Sequence, residues 1–213
     1  MSKGYAILSL DEVETAKHRG CDLIPVRYVL GFRPAGVNAW RADAGGLLIP
    51  PHEEESGNEE LYVVVRGRAQ FTVGEEEADA PAGTLVFVPP KVFRTATAEE
   101  DGTLVFVAGG TVGEAFNAGG WEEIALAEKY RQAGRVDDGR AIMEQLVADR
   151  PDYWATSYNA GCWEALAGNA DGALEHLRRA KELDAEGESA QYLREDTDLD
   201  SLRNDPRFEE LLG

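Results

Sequence analysis

The chain has 213 residues, 43% of them apolar and 29% charged, enough to bury one large core or two small ones. With 40 acidic against 21 basic side chains the formal net charge is −19, which argues against nucleic acid as a partner, since counterion-driven binding needs a basic surface. No run approaches the roughly 18 apolar residues of a membrane span, and the opening stretch MSKGYAILSLDEVETAKHRG is charged throughout with no signal-peptide core. No membrane partner is therefore expected, and the expected location is the cytoplasm. The two cysteines, Cys21 and Cys162, fall in what read as different domains, so buried reduced thiols are expected rather than a disulfide framework.

Up to about residue 110 the apolar residues come in short β-rich runs separated by Gly, Pro and acidic turns. In chain order they are VRYVLGF from Val26, LLIP from Leu47, LYVVV from Leu61, AQFTVG from Ala69, TLVFVPP from Thr84 and TLVFVAGG from Thr103. Such runs, with no helical pattern between them, predict an antiparallel sandwich or barrel. Pro89-Pro90 closes one strand, because proline cannot donate to a ladder. Alternation places Glu60, Tyr62 and Val64 on one strand face and Arg94 and Ala96 on another. The acidic pair Glu75-Glu76 is expected in a hairpin turn, where paired carboxylates have no cleft to work in.

The pattern breaks at GGTVGEAFNAGG, residues 109 to 120, and from Trp121 onward Ala, Leu, Glu and Arg recur with a helical period. Within this half AEKYRQAGRVDDGRAIMEQLVADRP, from Ala127, overlays GCWEALAGNADGALEHLRRAKELDA, from Gly161, at an offset of 34 residues. Gly134 matches Gly168, Asp137 matches Asp171 and Met143 matches Leu177. The aromatic residues Trp121, Tyr130, Trp154, Tyr158 and Trp163 are expected to pack between helices. The final stretch reads as a cap, with Asp198 opening one short helix and Asn204 or Asp205 another before Pro206.

Two resemblances follow. The 34-residue period, with a glycine at the helix-helix turn and small residues where helices touch, resembles the tetratricopeptide repeat over about residues 120 to 185. The β half resembles the cupin superfamily, double-stranded β-helix (jelly-roll) barrels, over about residues 25 to 110. The family's first motif is matched by Gly46, the residues LLIPP and His52, then Glu54 where a second histidine is usual, then Glu60 and Gly67. Its second motif is matched by Gly83, TLVFV and Pro89, with Lys91 in place of glycine and Arg94 in place of histidine.

That resemblance implies a metal site at His52, Glu54, Glu60 and the position held by Arg94. A guanidinium stays protonated and has no lone pair to give, so Arg94 cannot ligate and would repel a cation. Arg94 is instead expected to neutralise Glu54 or Glu60, and to offer a carboxylate or phosphate contact to a ligand. His18 and His176 carry no expected role.

The resulting expectation is an α+β multidomain chain: a cupin-like barrel over 1–112, a glycine-rich linker over 113–120, and a tetratricopeptide-like all-α array with capping helices over 121–213. The favoured function is non-enzymatic or regulatory binding of a small ligand by His52, Glu54, Glu60, Tyr62 and Arg94, without a cofactor. The helical half would contact a protein or peptide partner, and the resemblance implies a homodimer through the barrel. The alternative is a divalent-metal-dependent isomerase or dioxygenase using His52, Glu54 and Glu60.

Overall fold

The computed structural model describes residues 6–55, 57–114 and 119–212, so Ser56 of the expected turn and residues 115–118 of the expected linker lie outside the described residues. The chain divides into two compact units, Met1–Glu122 and Glu123–Gly213.

The first unit is a sandwich of two antiparallel sheets. One runs in the order Ala16–His18 (β1), Cys21–Ile24 (β2), Gly36–Ala42 (β3), Thr103–Gly110 (β10), Glu59–Arg66 (β5), Leu85–Val88 (β8). The other runs Leu47–His52 (β4), Arg94–Ala98 (β9), Arg68–Val73 (β6), Glu76–Pro81 (β7). The period-two rule sets which residues meet in the middle. On β5, Tyr62 and Val64 are 1% and 0% exposed, while Leu61 and Val65, which flank them, are 39% and 49% exposed. From the facing sheet come Phe71, Ala69, Ala96 and Ala98, all buried.

One expected strand is a helix. Val26–Leu30 (α1) follows Pro25 as a single turn and ends at Gly31, in the left-handed region at φ 63. A short β-branched run is equally compatible with a turn that buries one side, and tertiary packing decides: Val26 joins Ile24, Ala39 and Leu104 in a satellite core against the sheet. The acidic expectation also shifts by one residue, since the β6–β7 turn is Gly74-Glu75 and Glu76 already pairs with Val73.

In the second unit the helices are Trp121–Gln132 (α2), which begins at the boundary, Val136–Asp149 (α3), Trp154–Leu166 (α4), Ala170–Leu183 (α5), Ser189–Glu195 (α6) and Pro206–Leu212 (α7), with a 3-10 turn over Thr197–Leu202. The 34-residue sequence period is also a geometric one. Arg135 N–H donates to Tyr130 O and Asn169 N–H to Glu164 O, the same closure around left-handed Gly134 and Gly168. A Cβ on Gly139 would stand 2.8 Å from Ala127 O, and one on Gly161 would stand 3.2 Å from Ala173 O. Both are the same crossing point, 34 residues apart, with the glycine on opposite helices of each pair.

The C-terminal elements complete a shared core in which Leu174, Leu177, Leu199 and Phe208 are fully buried. Asp196, rather than Asp198, caps the 3-10 turn by accepting from Asp198 N–H at 3.0 Å, while Asp205 Oδ1 accepts from Arg207 N–H at 2.9 Å ahead of α7. The reason is geometric: the capping oxygen must come from the last non-helical residue, and Asp196 is extended at ψ 121. Among the described residues no helix is long and apolar enough to cross a membrane.

Candidate functional site

Four strands converge on one cluster inside the first unit. The β4–β9 register sets His52 opposite Arg94, β5 alternation turns Glu60 and Tyr62 inward, and β10 sets Gly109 opposite Glu60. That last position tolerates no side chain. A Cβ on Gly109 would lie 2.9 Å from Glu59 O and 3.1 Å from Glu60 Cγ, so the glycine is what lets β10 approach the base of the Glu60 side chain.

Glu60 Oε2 is the hub. Tyr62 Oη donates to it at 2.5 Å, Arg94 Nε lies 3.2 Å away and His52 Nε2 3.6 Å away. Burial alone would push the Glu60 carboxyl up; the hydrogen bonds from His52 and Tyr62 and the charges of Arg94 and His52 outweigh it and hold the carboxyl below its ordinary value. Burial, with the Glu60 charge second, keeps the Tyr62 hydroxyl protonated far above its usual range, so it remains a donor.

His52 Nδ1 lies 2.7 Å from Pro50 O. A carbonyl can only accept, so Nδ1 carries the hydrogen, and Nε2 faces Glu60 Oε2 and Glu54 Oε1, the latter at 3.7 Å. The interaction with Glu60 is the main reason the imidazole is raised above its ordinary value; burial opposes it, and Pro50 O and the Glu60 charge add to it. Glu54 is reached by Asn58 Nδ2 at 3.4 Å, and Asn58 Oδ1 accepts from Thr111 Oγ1 at 2.9 Å.

Arg94 is fully buried. Its Nη2 donates to Pro89 O at 3.4 Å, and Nη1 has no hydrogen-bond partner. The expected neutralisation of a barrel carboxylate by Arg94 falls on Glu60. Arg94 stands behind that carboxylate: a cavity of about 420 Å³ opens onto His52, Glu54, Asn58, Glu60 and Tyr62, and Arg94 is not among its lining residues. The five residues singled out from sequence are thus brought together, with four facing the cavity.

The other end of the cavity was not legible in advance. It is lined by His18, Asn38, Trp40, Trp121 and Glu122. Trp40 and Trp121 are nearly parallel, 4° apart with centroids at 6.2 Å, and the His18 ring lies 4.6 Å from Trp121. Trp121 therefore belongs to the first unit, where it stacks on Trp40 instead of serving a helix–helix core as expected. Burial, then the charge of Arg19, lowers His18 and keeps it neutral. Asn38 Nδ2 donates to Glu122 Oε1 at 2.8 Å, and Arg27 Nε pairs with Glu122 Oε2 at 2.7 Å.

Donor atoms of His52, Glu54 and Glu60 all lie within 4.8 Å of one another, a spacing that could hold an ion. The set nevertheless fits a resident metal poorly. Arg94, a permanent cation, stands 3.2 Å from Glu60, and the Glu60 oxygen nearest His52 already takes the Tyr62 hydroxyl.

The stretch 39–109 matches the family model described as a cupin domain. That stretch holds the acidic cluster of the site. No curated protein matches the chain in sequence. Solved structures similar to the chain include a cupin protein from Bacteroides fragilis, at 19% identity and TM-score 0.43 over 55% of this chain and 92% of that one. KdgF from Halomonas sp. is similar at 18% identity and TM-score 0.42, over 51% and 93% of the two chains. A cupin-superfamily sugar phosphate isomerase from Silicibacter pomeroyi is similar at 18% and 0.41, over 49% and 74%. His52, Glu54, Glu60, Tyr62 and Arg94 all fall inside the cupin stretch, whereas His18, Asn38, Trp121 and Glu122 fall outside it.

Proposed function

We propose that the cupin domain is a non-enzymatic binding module for a small, neutral, hydroxyl-bearing molecule, held by His52, Glu54, Glu60 and Tyr62 without a metal cofactor. The observation that carries this reading is the full burial of Arg94 behind Glu60. Arg94 cancels the Glu60 charge from the rear, so its guanidinium does not meet the ligand, and a carboxylate or phosphate entering beside His52 would face Glu54 and Glu60 instead. Acceptor oxygens on Glu54 and Glu60 suit hydroxyl donors, and the imidazole adds a group able to donate. A volume of about 420 Å³ accommodates a ligand of sugar or nucleoside size.

A second reading, a divalent-metal isomerase or dioxygenase on His52, Glu54 and Glu60, is favoured by the convergence of their donor atoms. Elemental analysis of untagged protein purified without chelator separates the two. The binding reading expects substoichiometric metal, with myo-inositol or ribose raising the melting temperature of wild type and not of Glu54→Gln. Stoichiometric metal that is lost in His52→Ala would transfer the assignment to the enzyme.

The same proposal assigns two surfaces to partners. The outer face of β5 and the edge strand β8 exposes Leu61, Val65, Leu85 and Phe87, an uncharged patch beside unpaired backbone, and a second copy of the chain would bury it. The paired helices, with their repeat-like crossing points, are assigned to a protein or peptide partner in the manner of a tetratricopeptide array.

A further inference from the structure

The cavity is built from two chemically different ends, and the proposed function uses only one. At the far end Trp40 is 6% exposed, Trp121 lies parallel to it and burial lowers the His18 imidazole, so the wall offers flat uncharged rings, with Glu122 and Arg19 also lining the cavity. Set in the same wall is Asn38, 4% exposed. Its orientation is fixed, because only the amide nitrogen can donate to Glu122 Oε1. The amide oxygen therefore points away from that carboxylate, and it has no hydrogen-bond partner. A buried acceptor left unpaired is costly, and a ligand donor would recover that cost.

We propose that this end is a ring subsite: a flat heteroaromatic ring bearing an N–H donor rests on Trp40, Trp121 and His18, gives its hydrogen bond to Asn38 Oδ1, and is joined to a hydroxylated part that reaches Glu54 and Glu60. The inference rests on the neutral-ligand reading of the acidic end and extends it to a ligand class, neutral nucleoside-like molecules. Aromatic platforms suit such rings because stacking is tolerant of ring identity, and removing one platform from a single-ring contact costs binding about 5- to 150-fold, the equivalent of 1–3 kcal/mol. His18, Asn38, Trp121 and Glu122 lie outside the matched stretch 39–109 and Trp40 lies within it, so the subsite joins that stretch to the segments flanking it.

The test titrates the full-length chain with adenosine, uridine and ribose, following tryptophan fluorescence and heat of binding, in wild type, Trp121→Phe, Trp121→Ala and Glu54→Gln. The expected result is at least tenfold tighter binding of a nucleoside than of ribose, at least tenfold weakening in Trp121→Ala, and near-wild-type binding in Trp121→Phe, whose circular dichroism confirms an intact fold. A nucleoside that binds no tighter than ribose, or binds Trp121→Ala within twofold of wild type, overturns the subsite. Ribose binding that disappears in Glu54→Gln while Trp121→Ala is inert overturns the ring subsite and leaves the proposed function standing. Absence of binding by all three compounds overturns both.

Discussion

Arg94 and Glu60 form the pair on which the cupin interior depends, and a double-mutant cycle measures it. In Arg94→Met the stem is kept and the charge removed, leaving Glu60 with Tyr62 and His52 and 17% side-chain exposure toward the cavity. Breaking a buried pair from one side costs about 3–5 kcal/mol, and these remaining partners place this variant at about 3 kcal/mol. In Glu60→Gln a fully buried guanidinium loses its counter-charge and keeps only neutral acceptors, Pro89 O at 3.4 Å and the new amide oxygen, which places that variant near the upper end, at about 5 kcal/mol. With both charges gone the double variant should lose about 4–5 kcal/mol, a coupling of about 3–4 kcal/mol. Urea unfolding in a Trp154→Phe/Trp163→Phe background reads the first unit alone, because Trp40 and Trp121 then supply the fluorescence. Losses that add to within about 0.5 kcal/mol would refute the claim that the two side chains act as one unit.

Three further outcomes are expected. His52 is raised in the folded state, so its contribution is fully present below its unfolded value near pH 6.5 and is lost as pH rises through the folded value. First-unit stability should therefore decline above about pH 6.5 in wild type and stay flatter in His52→Gln, as read by melting temperature across pH. Gly109→Ala drives a methyl against Glu59 O and Glu60 Cγ, and should cost about 1–3 kcal/mol while abolishing ligand-induced thermal shifts. Phe87→Glu, on the exposed edge strand, should convert a dimer to a monomer in sedimentation equilibrium without altering the circular dichroism spectrum; an unchanged mass would remove β8 as the self-contact.

Much of the sandwich could be read from the chain because its strands announce themselves: LYVVV and TLVFV are apolar, β-branched and bounded by turn residues. The strand over Glu76–Pro81 escaped notice because an edge strand needs no buried side chains, and four of its first five residues are acidic or alanine and exposed. The run Val26–Leu30 misled because one helical turn and one short strand can share a composition. At the site, motif spacing was enough to gather His52, Glu54, Glu60 and Arg94, and strand parity added Tyr62. Parity could not say that Arg94 sits behind Glu60, since that depends on the depth of each side chain between the sheets. The ring end was invisible for a different reason: His18, Asn38 and Trp121 are up to 103 residues apart, and no local pattern records a contact made only when the chain closes on itself. A tryptophan that opens a helical run looks like helix core; only the parallel partner Trp40 reveals otherwise.

The single oxygen shared by a phenol, a guanidinium and an imidazole has an evolutionary corollary. A positive centre attached through its own side-chain bonds cannot be stripped by a chelator, diluted away or swapped for another element when supply changes. On the proposed metal-free reading, assembly of this pocket needs no cargo, and its chemistry is retuned by mutation rather than by loading.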